Sequence, residues 1–102
     1  MNIRINAVRF DADVKLEQFI DKKVSKLSRY FDDIINAEVF LKLENTPDLE
    51  NKVVEIKVYI PGNELFARKQ SKSFEESTDS VVDALKQQIL KHKEKLRGGL
   101  VS

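Results

Sequence analysis

The 102-residue chain has no cysteine and no tryptophan, two prolines, three glycines and a single histidine. Each scarcity excludes something. Without cysteine there is no disulfide framework and no thiolate nucleophile. A reducing compartment is compatible with that, and the cytoplasm is the expected location. With His92 as the only histidine, no zinc site of the usual His and Cys ligands is expected. The glycines are Gly62, Gly98 and Gly99, in a turn signal and the tail, so no glycine-rich loop is available to cradle a phosphate. No apolar run approaches the ~20 residues of a membrane span. The start, MNIRINAVRFDAD, alternates and carries charge, unlike a secretion signal. Charge of one sign is also lacking: the formal net charge is +1 and the pI about 7.9. A polyanion binder would therefore have to be revealed by how its charges are distributed.

What is present reads as one domain. Hydrophobic residues make up 41% and charged residues 34% of the chain, enough for a single core in a highly charged soluble protein. Ile3, Ile5 and Ala7 alternate with Arg4 and Asn6 as in a half-buried strand. Asp11 or Asp13 then caps a helix expected over Val14–Phe31, whose apolar stripe is Leu16, Ile20, Val24, Leu27 and Phe31. A second strand turns Ala37, Val39, Leu41 and Leu43 inward, and NTPDLEN follows as an exposed turn. A third strand, Val53–Ile60, meets the hairpin signal Pro61-Gly62-Asn63. The fourth, Glu64–Lys72, keeps Leu65 and Ala67 inward. Ser73 and Glu76 form a capping box for a last helix over Phe74–Arg97.

This order, β-α-β-β-β-α, predicts an α+β fold: a four-stranded mixed sheet with two helices packed on one face and the first two strands parallel. Residues 1–97 form the domain, and 98–102 are expected to be a disordered tail. The other sheet face carries Phe40, Tyr59 and Phe66 among mixed charges. Such aromatics suit base stacking, but cross-strand pairing on a solvated face is the favoured account of them.

The basic residues are concentrated on the helices. Over residues 15–30 five bases face two acids, and Lys15, Lys22, Lys26 and Arg29 align on one side of the helix, with Lys23 between that row and the core. In the last helix Glu75, Glu76, Asp79 and Asp83 crowd the start, whereas Lys86, Lys91, Lys93, Lys95 and Arg97 crowd the end against Glu94 alone. The helix dipole favours that polarity, but five bases exceed what a helix end requires. A lysine-lined face also serves plain solubility. His92 falls in the apolar stripe between Ile89 and Leu96, where packing explains it. No nucleophile has a base beside it, so neither an enzyme, a cofactor nor a small-molecule substrate is expected. The residues leave three readings open: an RNA-phosphate binder, a protein-interaction module using the exposed sheet, and a general double-stranded RNA-binding domain.

The order of elements, the run Lys23-Val24-Ser25-Lys26-Leu27-Ser28-Arg29-Tyr30-Phe31 and the ending Lys91-His92-Lys93-Glu94-Lys95-Leu96 resemble the ribosome hibernation promoting factor family, also called ribosome-associated inhibitor A or sigma-54 modulation protein. The resemblance spans residues 1–97. It implies a ribosome-binding domain that contacts small-subunit ribosomal RNA in the messenger and transfer RNA channel and silences idle ribosomes. It assigns phosphate contacts to Lys23, Lys26, Arg29, Lys91, Lys93 and Lys95, with Lys22 beside them. Ala84 and Gln87 stand where the family usually carries bases, and Ser73-Phe74-Glu75 replaces its usual helix start. Lys86, Arg97, Arg68 and Lys69 are the candidates to substitute. The chain ends after the second helix, which resembles the family's short form.

Overall fold

The structure is a computed structural model that describes residues 1–98. Six main elements follow one another: β1 (Asn2–Ala7), α1 (Val14–Ser25), β2 (Asn36–Leu43), β3 (Lys52–Ile60), β4 (Asn63–Ser71) and α2 (Phe74–Gly98). The sheet order is β1-β2-β3-β4. β1 lies parallel to β2, and the remaining pairs are antiparallel. The mixed sheet under two helices is thus the α+β arrangement that the sequence predicts.

Alternation builds the core. Val39, Leu41, Val54, Ile56 and Val58 are fully buried on one face of the sheet. Ile20, Val24 and Leu27 from the first helical segment, and Val81, Leu85 and Ile89 from α2, close over them. A sheet with one apolar face and two helices with one apolar stripe each have this single way to remove those areas from water. The strand directions then fix the helices. β1 and β4 point the same way, so α1 and α2, each leading back from one of them, run parallel, with their N-termini at one end of the molecule and their C-termini at the other. Phe10 and Phe74 stack 5.3 Å apart at the N-terminal end.

Local signals explain most boundaries. Asp13 Oδ1 accepts the Leu16 N–H at 2.8 Å and caps α1. Pro61 and Gly62, the latter at φ +74°, form the two-residue β3–β4 turn in the manner of a type II turn.

Four expectations need correction. The helix expected to reach Phe31 changes type: α1 ends at Ser25, and Lys26–Arg29 form a 3-10 helix. The Ser25 and Ser28 hydroxyls donate to the carbonyls of Lys22 and Ser25, back-bonding that disturbs a regular helix. Leu43 is 51% exposed and Leu96 61%, although both lie in apolar patterns. Leu43 is the last residue of β2. Leu96 stands where α2, about 37 Å long at 25 residues, overruns a nine-residue β4 of about 30 Å. The capping box is half formed: Ser73 Oγ accepts the Glu76 N–H at 3.1 Å, while the Ser73 N–H points to Ser71 Oγ at 3.4 Å. Val53, pointing to the open face, is nonetheless fully buried. Of the tail, Gly98 is still helical, and the rest lies outside the described residues.

Candidate nucleic-acid interface

Parallel helices put both basic ends at the same end of the protein. Between them runs a furrow whose walls are identified by direct contacts. Lys23 Nζ sits 3.2 Å from Asp79 Oδ1 and 5.4 Å from the centre of the Phe19 ring. Lys86 Nζ lies 5.0 Å from the centre of the Tyr30 ring. These contacts fix which flank of each helix faces the other.

On the α1 wall the basic row survives the change of helix type. Lys22 and Lys26 are four residues apart and share a side. In a 3-10 helix residues three apart eclipse, so Arg29 comes directly beneath Lys26. Lys22 and Arg29 are exposed, and Lys26 is half-buried. None of the three pairs with an acid among the described residues.

The α2 bases divide. Lys93 follows Lys86 by seven residues, two turns on, and lies on the furrow side, half-buried. Gln88 Nε2 donates to the Phe66 carbonyl of β4 at 2.8 Å, which marks the opposite flank. Lys91 and Lys95, three and seven residues after Gln88, share that flank and are exposed. Arg97 lies in the last turn. His92, half-buried, meets Phe31 edge-on with ring centres 5.5 Å apart, as a packing residue does.

The two strand bases are placed apart from the furrow. Arg68 points to the open face, where it pairs with Glu44 at 3.0 Å and Glu55 at 3.3 Å. Lys69 alternates to the helix-covered side of β4 and is exposed at the sheet's edge. Contacts thus place Lys23 and Lys86 between the helices. Helical spacing puts Lys93 on the side of Lys86, and the row of Lys22, Lys26 and Arg29 beside Lys23 toward the outer side of α1. It sets Lys91 and Lys95 on the far flank of α2 and leaves Arg68 and Lys69 elsewhere.

The open face is electrostatically self-contained. Glu55 also binds Lys42 at 3.0 Å, and the Tyr59 hydroxyl donates to Glu38. That bond to a carboxylate, before any effect of burial, raises the Tyr59 phenol above its ordinary pKa of 10.0. Cross-strand pairing thus accounts for most of this face, although Phe66 remains 46% exposed. Among the described residues no group of three or more His, Cys, Asp and Glu side chains is arranged to hold a metal ion, and no helix is long and apolar enough to cross a membrane.

Sequence asymmetry missed two partners here, Asp79 for Lys23 and Tyr30 for Lys86. A signal existed for the first: Asp79 precedes Lys86 by two turns and so shares its side of α2.

A family model described as "Sigma 54 modulation protein / S30EA ribosomal protein" matches residues 3–97. The chain belongs to this family. Among its relatives is the ribosome hibernation promoting factor of Azotobacter vinelandii, 30% identical over 95 residues, covering 93% of this chain and 85% of the relative. The Escherichia coli K12 protein of the same name is 28% identical over 97 residues, covering 95% and 98%. Two solved structures share the fold. The N-terminal domain of Thermus thermophilus Protein Y superposes with a TM-score of 0.79 at 25% identity, covering 90% of this chain and 99% of that one. A ribosomal subunit interface protein from Coxiella burnetii gives 0.82 at 23% identity, covering 93% and 100%.

Proposed function

We propose that this protein is a ribosome-associated hibernation factor that binds ribosomal RNA of the small subunit in the messenger and transfer RNA channel and so keeps idle ribosomes silent. The names of its relatives support the ribosome as partner. The observation that carries the mode of binding is the interhelical furrow, where bases from both helices converge at one end of a nearly neutral molecule. Lysine and arginine on such a surface neutralise backbone phosphates and need no base readout. Lys22, Lys23, Lys26, Arg29, Lys86 and Lys93 make the central contacts. Lys91 and Lys95 extend them over the end of α2, Arg97 is a further candidate whose side chain lies outside the described ones, and Arg68 and Lys69 are peripheral. No step of this action needs a cofactor or a catalytic residue, and binding alone occludes the channel. The ion-paired open face favours neither base stacking nor a charged protein partner.

Cosedimentation of the purified protein with small subunits, empty or loaded with messenger and initiator transfer RNA, tests the proposal. Empty subunits should bind it and loaded ones should exclude it. Equal binding to both would show that the site lies outside the channel.

A further inference from the structure

One contact in the furrow opposes the function of its neighbours. Lys23 is the only base of the furrow joined to an acid among the described residues, and its partner, Asp79, comes from the other helix. Asp79 is the sixth residue of α2, beyond the first turn in which the dipole rewards an acid. Glu75 and Glu76 already supply that acidic first turn. The dipole therefore accounts for Glu75 and Glu76 better than for Asp79. Its side chain is 56% exposed and that of Lys23 is 32% exposed, so both reach the solvent that a polyanion would occupy.

We infer that Asp79 is an internal counter-ion that competes with RNA phosphate for Lys23 and closes the basic furrow at its N-terminal end. The inference rests on the reading of the furrow as the RNA site and adds to it a residue that limits affinity. The furrow then has a direction. A phosphate backbone finds unpaired bases at Lys26, Arg29, Lys86 and Lys93, and must share Lys23 with Asp79. Exposed ion pairs are weak and screened by salt, so Asp79 holds Lys23 loosely enough to tune binding without abolishing it. The tuning keeps the protein's grip dependent on the full array of phosphates in a structured RNA. It weakens attachment to any short anionic stretch.

The experiment compares Asp79→Asn with Asp83→Asn in binding to purified bacterial small subunits across a salt series. Asp83 is exposed, one turn further along α2, and has no ion-pair partner among the described residues, so its replacement reports the change of net charge alone. Asp79→Asn should bind several-fold tighter than Asp83→Asn. Its log–log salt slope should steepen by about 0.7–0.9, the signature of one more phosphate contact. That gain should vanish in the Lys23→Gln background, where adding Asp79→Asn should bind no tighter than the same background with Asp83→Asn.

A thermal melt of each variant separates this from a structural role, in which Asp79→Asn would lower the melting temperature and leave affinity and slope alone. That result overturns the inference, as does an equal gain from Asp83→Asn. If the wild type fails to bind subunits, the reading of the furrow falls and this inference with it. If the wild type binds and only the Asp79 effect is missing, the site stands and the counter-ion does not.

Discussion

His92 is the residue whose chemistry most invites a functional role and whose surroundings least support one. It meets the Phe31 ring edge-on, at the end of the apolar stripe that Ile89 continues. His92→Leu should therefore leave subunit binding within a few-fold, because apolar swaps of similar volume are tolerated at packed positions. Loss of binding with an intact circular dichroism spectrum would put His92 in the interface instead. Tyr59 offers the clearest titration. Its phenol is raised by the hydrogen bond to Glu38, so the folded state favours the neutral form. The stabilisation is complete below the ordinary pKa of 10.0 and is lost as pH rises through the higher folded value. An absorbance titration of phenolate should show one tyrosine ionising above the ordinary range, and Glu38→Gln should bring it down. Arg68 teaches a complementary lesson. In the sequence it is a base on a polar strand, but in the structure it is bound to Glu44, 24 residues away, and Glu55, 13 residues away. Pairing of that kind depends on strand register, which alternation suggests only up to the turns between strands.

Among the elements, the strands were legible to within a residue because period-two alternation and the Pro61-Gly62 turn signal coincide with the pairing that forms. The first helix was legible in its burial and not in its type. Ile20, Val24 and Leu27 keep a spacing that fits a continuous α-helix, and nothing in that spacing reports the 3-10 segment at Lys26–Arg29. Ser25 and Ser28 carried the only hint, through their capacity to bond backbone carbonyls three residues back. The overrun of α2 was hidden for another reason: amphipathic periodicity shows which side is apolar and not where the supporting sheet stops. The start of α2 is legible in Ser73, whose hydroxyl accepts the Glu76 N–H. Ser73→Ala removes the acceptor for the Glu76 N–H and should lower stability by about 1 kcal/mol, measured by denaturant unfolding with an unchanged m-value. No loss would mean that the Ser71 and Ser77 hydroxyls, 2.7 Å apart beneath the same turn, hold the helix start by themselves.

At the scale of the molecule, topology assembles the proposed site. Neither helix alone distinguishes a phosphate-binding face from a solvated one. The connections that make α1 and α2 parallel bring their basic ends together. What charge counting along α2 could not show is that its bases serve two flanks, with Lys86 and Lys93 toward α1 and Lys91 and Lys95 toward β4. This division can be tested with neutral substitutions, which avoid placing new acids beside old ones. Lys86→Gln with Lys93→Gln, and Lys91→Gln with Lys95→Gln, change net charge equally on one helix. Replacements at such surface positions typically alter stability within ~0.5 kcal/mol each, so all the variants should fold. If the phosphate backbone follows the furrow, the Lys86/Lys93 pair should lose more affinity for small subunits. Its salt slope should fall by about 1.4–1.8, for two contacts. The Lys91/Lys95 pair should lose less, and Arg4→Gln with Lys57→Gln on the open face should change little. A larger loss from Lys91/Lys95 than from Lys86/Lys93 would move the RNA path to the β4 flank of α2. The furrow would then be a by-product of helix packing, and Asp79 would have no polyanion to compete with.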